Sequence, residues 1–103
     1  MSGTTGKSSG AAVVADVQHP YVTKTAGVCG GRPTIAGTRI AVRVVVGYVL
    51  KQDMLPEEFV RLYPSTSLAQ VYAALSYYHD HREEIERDIT ENSRESVDAL
   101  LSR

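Results

Sequence analysis

Between Gly30 and Val42 the sequence reads GGRPTIAGTRIAV, and no other stretch restricts the backbone so tightly. Glycine can take φ > 0 and proline fixes φ, so Gly30, Gly31, Pro33 and Gly37 specify a turn-rich hairpin or arch rather than a loose linker. The flanking runs YVTKTAGV (21–28) and RIAV (39–42) are β-branched and partly alternating, which predicts two short strands joined by the glycine-rich stretch. A ribbon of two strands is marginal alone, so it must pack on helices or pair with another chain.

Helices are expected beyond the ribbon. VRVVVGYVLKQ (42–52) is apolar on most sides and reads as a buried helix, with Asp53 in its C-terminal turn. PEEFVRLY (56–63) has proline at the first helical position and two glutamates at the positive helix end, and it stops before Pro64. Ser67 and Gln70 in SLAQ make a capping box that opens a long helix. At about 100° per residue this helix carries Val71, Ala74, Leu75, Tyr78, Ile85 and Ile89 on one face, with the Arg82 stem filling the interval. A second capping box, Asn92 and Glu95, restarts or continues it.

The expected fold is mainly α with a short N-terminal β-ribbon. Its core is a homeodomain-like helix-turn-helix of three helices, followed by an extended C-terminal helix. Residues 1–16, rich in Gly, Ser and Thr, read as a flexible arm; 17–88 as ribbon plus helix-turn-helix; 89–103 as a C-terminal helical segment. With 103 residues, 43% hydrophobic and 22% charged, the chain has the balance of one soluble domain. The longest mainly apolar run, 40–50, is too short for a membrane span and contains Arg43, and the N-terminus has no signal-peptide pattern, so the expected compartment is the cytoplasm. Cys29, the single cysteine, fits a reducing compartment and reads as a small buried thiol rather than a nucleophile.

Charge is unevenly spread. Residues 17–79 hold six basic and three acidic side chains, for +3, and residues 80–103 hold four arginines and eight acids, for −4. The middle can face a polyanion that the C-terminal part would repel, which predicts two surfaces with two tasks.

The runs GGRPTIAGTRIAV, PEEFVRLYP and VYAALSYYHDH resemble the domain-of-unknown-function family numbered 433, over residues 21–86. Its members are small helix-turn-helix proteins often considered antitoxins of PIN-like ribonucleases. The resemblance therefore implies a regulator that forms a homodimer, binds operator DNA and neutralises a ribonuclease toxin of the PIN type. Where the family tends to have glycine and then serine ahead of the short helix, this chain has Asp53 and Leu55; aspartate can also adopt the left-handed backbone needed there.

The DNA reading assigns Ser67, Gln70 and Ala73 to base edges and Lys24, Arg32, Arg39 and Arg43, on or beside the ribbon, to phosphates. Gln70 is then an adenine reader, although capping alone also accounts for it. The helix from Ser67 to His81 has no Lys or Arg, which argues against sequence reading through this helix alone. Arg39 is expected to turn inward, onto Glu57, Glu58 or loop carbonyls, and Arg32 outward to an anion. The partner-binding reading assigns Ile89, Arg94, Val97, Leu100, Leu101 and Arg103 to a docking helix, whose arginine would plug the acidic site of a PIN-like ribonuclease; the alternative is packing within the protein's own dimer. His79, Asp80, His81 and Glu84 read as a solvated helix surface, because His79 and His81 point about 200° apart on a helix. No nucleophile elbow or phosphate loop is present, so neither an enzyme nor a cofactor or metal site is expected. The competing class is a protein-interaction or assembly module on the same fold without nucleic-acid binding.

Overall fold

The glycine-rich run makes its turns twice, and one short strand forms between them. In the computed structural model, which describes residues 13–15 and 18–101, with side chains over 18–93, three antiparallel strands lie in the order β1 (Val13–Ala15), β2 (Val22–Thr25) and β3 (Thr34–Ile35). Gly30 (φ 64°) and Gly31 (φ 78°) reverse the chain after β2, and Gly37 (φ 77°) reverses it again after β3. The second turn is tied by Ile35 N–H to Ile40 O at 2.9 Å and by Thr38 Oγ to Ile35 O at 2.8 Å.

Two expectations change here. The second strand is Thr34–Ile35, inside the quoted run, whereas of residues 39–42 Ala41 bridges back to Thr34. The first turn closes earlier than the apolar spacing suggests, because two successive left-handed glycines complete the reversal before Pro33. Val13–Ala15, expected in the flexible arm, instead pairs with β2 in the register Val14↔Lys24. Its valines suit the free edge of β2.

α1 (Val42–Val46) runs into a wider π-helical turn, Gly47–Lys51, so the expected helix over 42–52 is present with its second half loosened. Asp53 then takes φ 59°, the left-handed conformation expected of it. α2 (Pro56–Leu62) starts at its proline, with the Leu55 N–H donating to Glu58 Oε1 at 2.9 Å. α3 (Leu68–Asp80) opens on the capping box: Gln70 N–H donates to Ser67 Oγ at 3.2 Å, and Ser67 N–H donates to Gln70 Oε1 at 2.9 Å.

The single long helix expected from Ser67 onward is two. α4 (Arg82–Leu101) is separated from α3 by His81, at φ −133° and ψ 45°. Neither glycine nor proline marks this break. The His81 ring instead stacks on Tyr77 with centroids 4.2 Å apart, and buried His19 lies edge-on to both rings while its Nε2 meets Asp80 Oδ2 at 2.7 Å. Tertiary contacts here override local helix preference.

The core gathers Val22 and Ile35 from the sheet, Val42, Val45 and Val46 from α1, Phe59 from α2, Val71, Ala74, Tyr77 and Tyr78 from α3, and Ile85 from α4. Among the described residues no helix is long and apolar enough to cross a membrane.

Candidate functional site

α4 places its acids by helical arithmetic. Glu84, Asp88 and Glu91, spaced by four and then three residues, share one stripe; Ile85 and Ile89 lie next to it, and Glu86 falls on their other side. The two isoleucines turn toward the core, so the acids flank them on both sides and meet the basic residues of the first half of the chain.

Five ion-pair contacts result, made by four cations on four acids. Lys24 Nζ meets Glu84 at 2.7 Å and Lys51 Nζ meets Glu86 at 2.8 Å. Arg32 spans Asp88 and Glu91, its Nη2 lying 2.9 Å from Glu91 Oε1, and Arg43 Nη1 reaches the other Asp88 oxygen at 3.3 Å. The Asp88 side chain is only 4% exposed, so two guanidinium groups close over one carboxylate. Hydrogen bonding to Glu91 and the Asp88 charge raise the Arg32 pKa beyond its already high value. Burial pushes Glu84 up, but hydrogen bonds from Lys24 and from Tyr77 Oη outweigh it, and its pKa is lowered. Glu86 is lowered by hydrogen bonds from Lys51 and Tyr78.

The inward and outward arginines are therefore the reverse of the expectation. Arg32 turns inward onto Asp88 and Glu91, while Arg39 is exposed, without an ion-pair partner among the described residues. The physical reason is the turn: Gly30 and Gly31 swing Arg32 beneath α4, and the backbone carbonyl of Arg39, not its side chain, is used, accepting from Cys29 Sγ at 3.1 Å. Cys29 is half-buried rather than buried, and sits at φ 50° beside a polar cleft of about 210 Å³ that Arg32, Arg43 and Asp88 also line. Of the four cations assigned to phosphate, Lys24, Arg32 and Arg43 are engaged by α4.

The second surface lies on α2 and α3. Leu62 is 51% exposed, Leu68 40% and Tyr72 54%. Ser67 and Ala69 are exposed beside them, and Gln70 and Ala73 are half-buried. This face has no Lys or Arg along α3. Sequence reasoning missed it as an apolar face; the signal was present in Leu68 and Tyr72, four residues apart, with Tyr72 off the core stripe.

Of the residues assigned to partner docking, Ile89 packs half-buried against the core, because it continues the Ile85 stripe. Arg94, Val97, Leu100 and Leu101 lie on α4, but their side chains and all of Arg103 fall outside the described residues. The expected solvated surface over residues 79–84 is partly occupied: His79 and Asp80 are exposed, while His81 stacks on Tyr77 and Glu84 binds Lys24. Among the described residues no group of three His, Cys, Asp or Glu is placed to hold a metal.

A family described as a protein of unknown function (DUF433) matches residues 22–78. The chain belongs to that family. The crystal structure of a DUF433 member protein from Anabaena variabilis ATCC 29413 is 36% identical, with a TM-score of 0.64 and 68% of each chain covered. No curated protein matches the chain. In this DUF433 protein, Lys24, Arg32, Arg43 and Lys51 all lie within the matched segment, and Glu84, Glu86, Asp88 and Glu91 all lie after it.

Proposed function

We propose that this protein is an antitoxin-like regulator that works mainly by docking another protein, a PIN-like ribonuclease, on the outer face of its α2–turn–α3 unit. One observation carries this reading. Three large apolar side chains, Leu62 on α2 and Leu68 and Tyr72 on α3, are left between 40% and 54% exposed, and α3 carries no Lys or Arg. Such a patch suits a protein partner and ill suits a phosphate backbone. The C-terminal end of α4 supplies a second contact, and the regulator acts as a homodimer.

The test is titration of a purified PIN-like ribonuclease against the wild-type chain and Tyr72→Glu. A buried charge at the centre of an interface should weaken binding by about a hundredfold. The fold should be unchanged, because Tyr72 lies outside the core. Equal affinities would remove the face from the interface.

Operator DNA is the second reading. It is favoured by the succession of α2, a short connection and α3, with Arg39 and Arg61 exposed and without ion-pair partners among the described residues. Against it, Gln70 Oε1 already accepts from Ser67 N–H, and a bidentate adenine contact would need that oxygen. Binding of the duplex upstream of its own gene, measured across salt concentrations, decides it. A phosphate contact by Arg39 predicts that Arg39→Ala lowers the salt slope by about one.

A further inference from the structure

We propose that α4 is exchanged between two copies of this chain, so that the helix closing over one protomer's cations docks on the partner's. The inference rests on the homodimer in the functional reading above and names how that dimer is joined.

Three observations converge on it. A single residue, His81, separates α3 from α4, and the sequence from Ser67 to Arg103 contains neither glycine nor proline. The apolar face of α3 runs on in register: Val71, Ala74 and Tyr78 are followed by the Arg82 stem, Ile85 and Ile89 at helical spacing, so a straightened α3–α4 is a well-formed amphipathic helix. Finally, α4 is held by a self-contained set of complementary groups. Glu84, Glu86, Asp88 and Glu91 each meet a Lys or Arg of the 22–78 segment, with Ile85 and Ile89 between them.

A second copy offers the identical cradle, so the docked helix makes the same contacts in either arrangement. The balance is then set by concentration and by the hinge alone, the usual condition for exchange of an element between protomers. At the hinge the closed form keeps the His81 stack on Tyr77 and its edge contact with His19. The open form gains the backbone hydrogen bonds of an uninterrupted helix. His81 is thus the lock, and its ring is the part of the lock that substitution can remove.

Charge reversal in trans tests the proposal with the full chain. One variant carries Arg32→Glu and Arg43→Glu, and the other Asp88→Arg and Glu91→Arg. Each alone opposes like charges under α4, whether its own or that of an identical copy. When mixed, the acidic helix of the first meets the basic cradle of the second and the reverse, so a one-to-one heterodimer of twice the 11.2 kDa chain mass should sediment. The chain carrying all four reversals restores the pairing in cis and controls for folding. His81→Ala provides an independent measurement: removing the stack while favouring helix should tighten the dimer at least tenfold. A mixture that stays monomeric while the fourfold variant folds overturns the proposal, and so does a His81→Ala chain with the wild-type dissociation constant. Neither readout uses the ribonuclease, so failure here leaves the Tyr72 result standing, and failure there leaves this one.

Discussion

Asp88 holds together parts of the chain that are 45 and 56 residues away in sequence. Its carboxylate is desolvated, and the Coulombic attraction of Arg32 and Arg43 offsets that cost. The two arginines are not equivalent. Arg32 is 39% exposed and also holds Glu91, whereas Arg43 is 20% exposed and pairs with Asp88. Asp88→Ala should therefore cost about 2 kcal/mol, most of it from leaving Arg43 half-buried and unpaired. Arg32→Ala should cost less, about 1 kcal/mol, since Arg43 still pairs with Asp88 and the more exposed pair of Arg32 with Glu91 is partly screened. Urea unfolding of both variants checks the order, and an Arg32→Ala chain less stable than Asp88→Ala would contradict this account.

At the scale of elements, local rules decide where helices start and tertiary contacts decide where they stop. Ser67 closes the α3 capping box, and removing its hydroxyl leaves the Gln70 N–H without a partner. Ser67→Ala should lower stability by about 1 kcal/mol, a fall in the thermal midpoint of about 4–8 °C in a domain of this size. That start was legible in the sequence, as were Pro56 at the head of α2, the left-handed Asp53 and the left-handed turns at Gly30, Gly31 and Gly37. Each depends on residues within a few positions of one another. The end of α3 was not legible, because the contacts that break it come from His19, 61 residues from its partner Asp80, and from a ring stack that no spacing rule encodes. The candidate site was legible by halves. The opposite charges of residues 17–79 and 80–103 were plain, but they were read as two surfaces for two partners. They are largely one contact, whose pairing depends on where α4 folds back.

For the whole molecule, that contact makes stability depend on pH. Glu84 and Glu86 both have pKa values lowered in the folded chain: Glu84 against its partial burial, through Lys24 and Tyr77, and Glu86 through Lys51 and Tyr78. An unfolded glutamate titrates at about 4.3. Below that pH the unfolded chain takes up protons that the folded chain still refuses, so the free energy of unfolding falls with pH. The stabilisation from these two groups is thus complete above about pH 4.3 and is lost as pH drops through their lower folded values. The four charged groups, Lys24, Glu84, Lys51 and Glu86, are partly exposed, so salt screens their share of the effect and it is clearest at low ionic strength. The thermal midpoint should be nearly level between about pH 7 and 5 and then fall as pH drops through the carboxylate range. In the double variant Glu84→Gln, Glu86→Gln, the midpoint at neutral pH should start lower and its acid fall should be shallower, since two of the titrating links between α4 and the first half of the chain are gone. If wild type and double variant lose stability along parallel curves from pH 5 to pH 3, these ion pairs are not what ties α4 to the core in acid, and Asp88 with the Ile85 and Ile89 stripe must hold it instead.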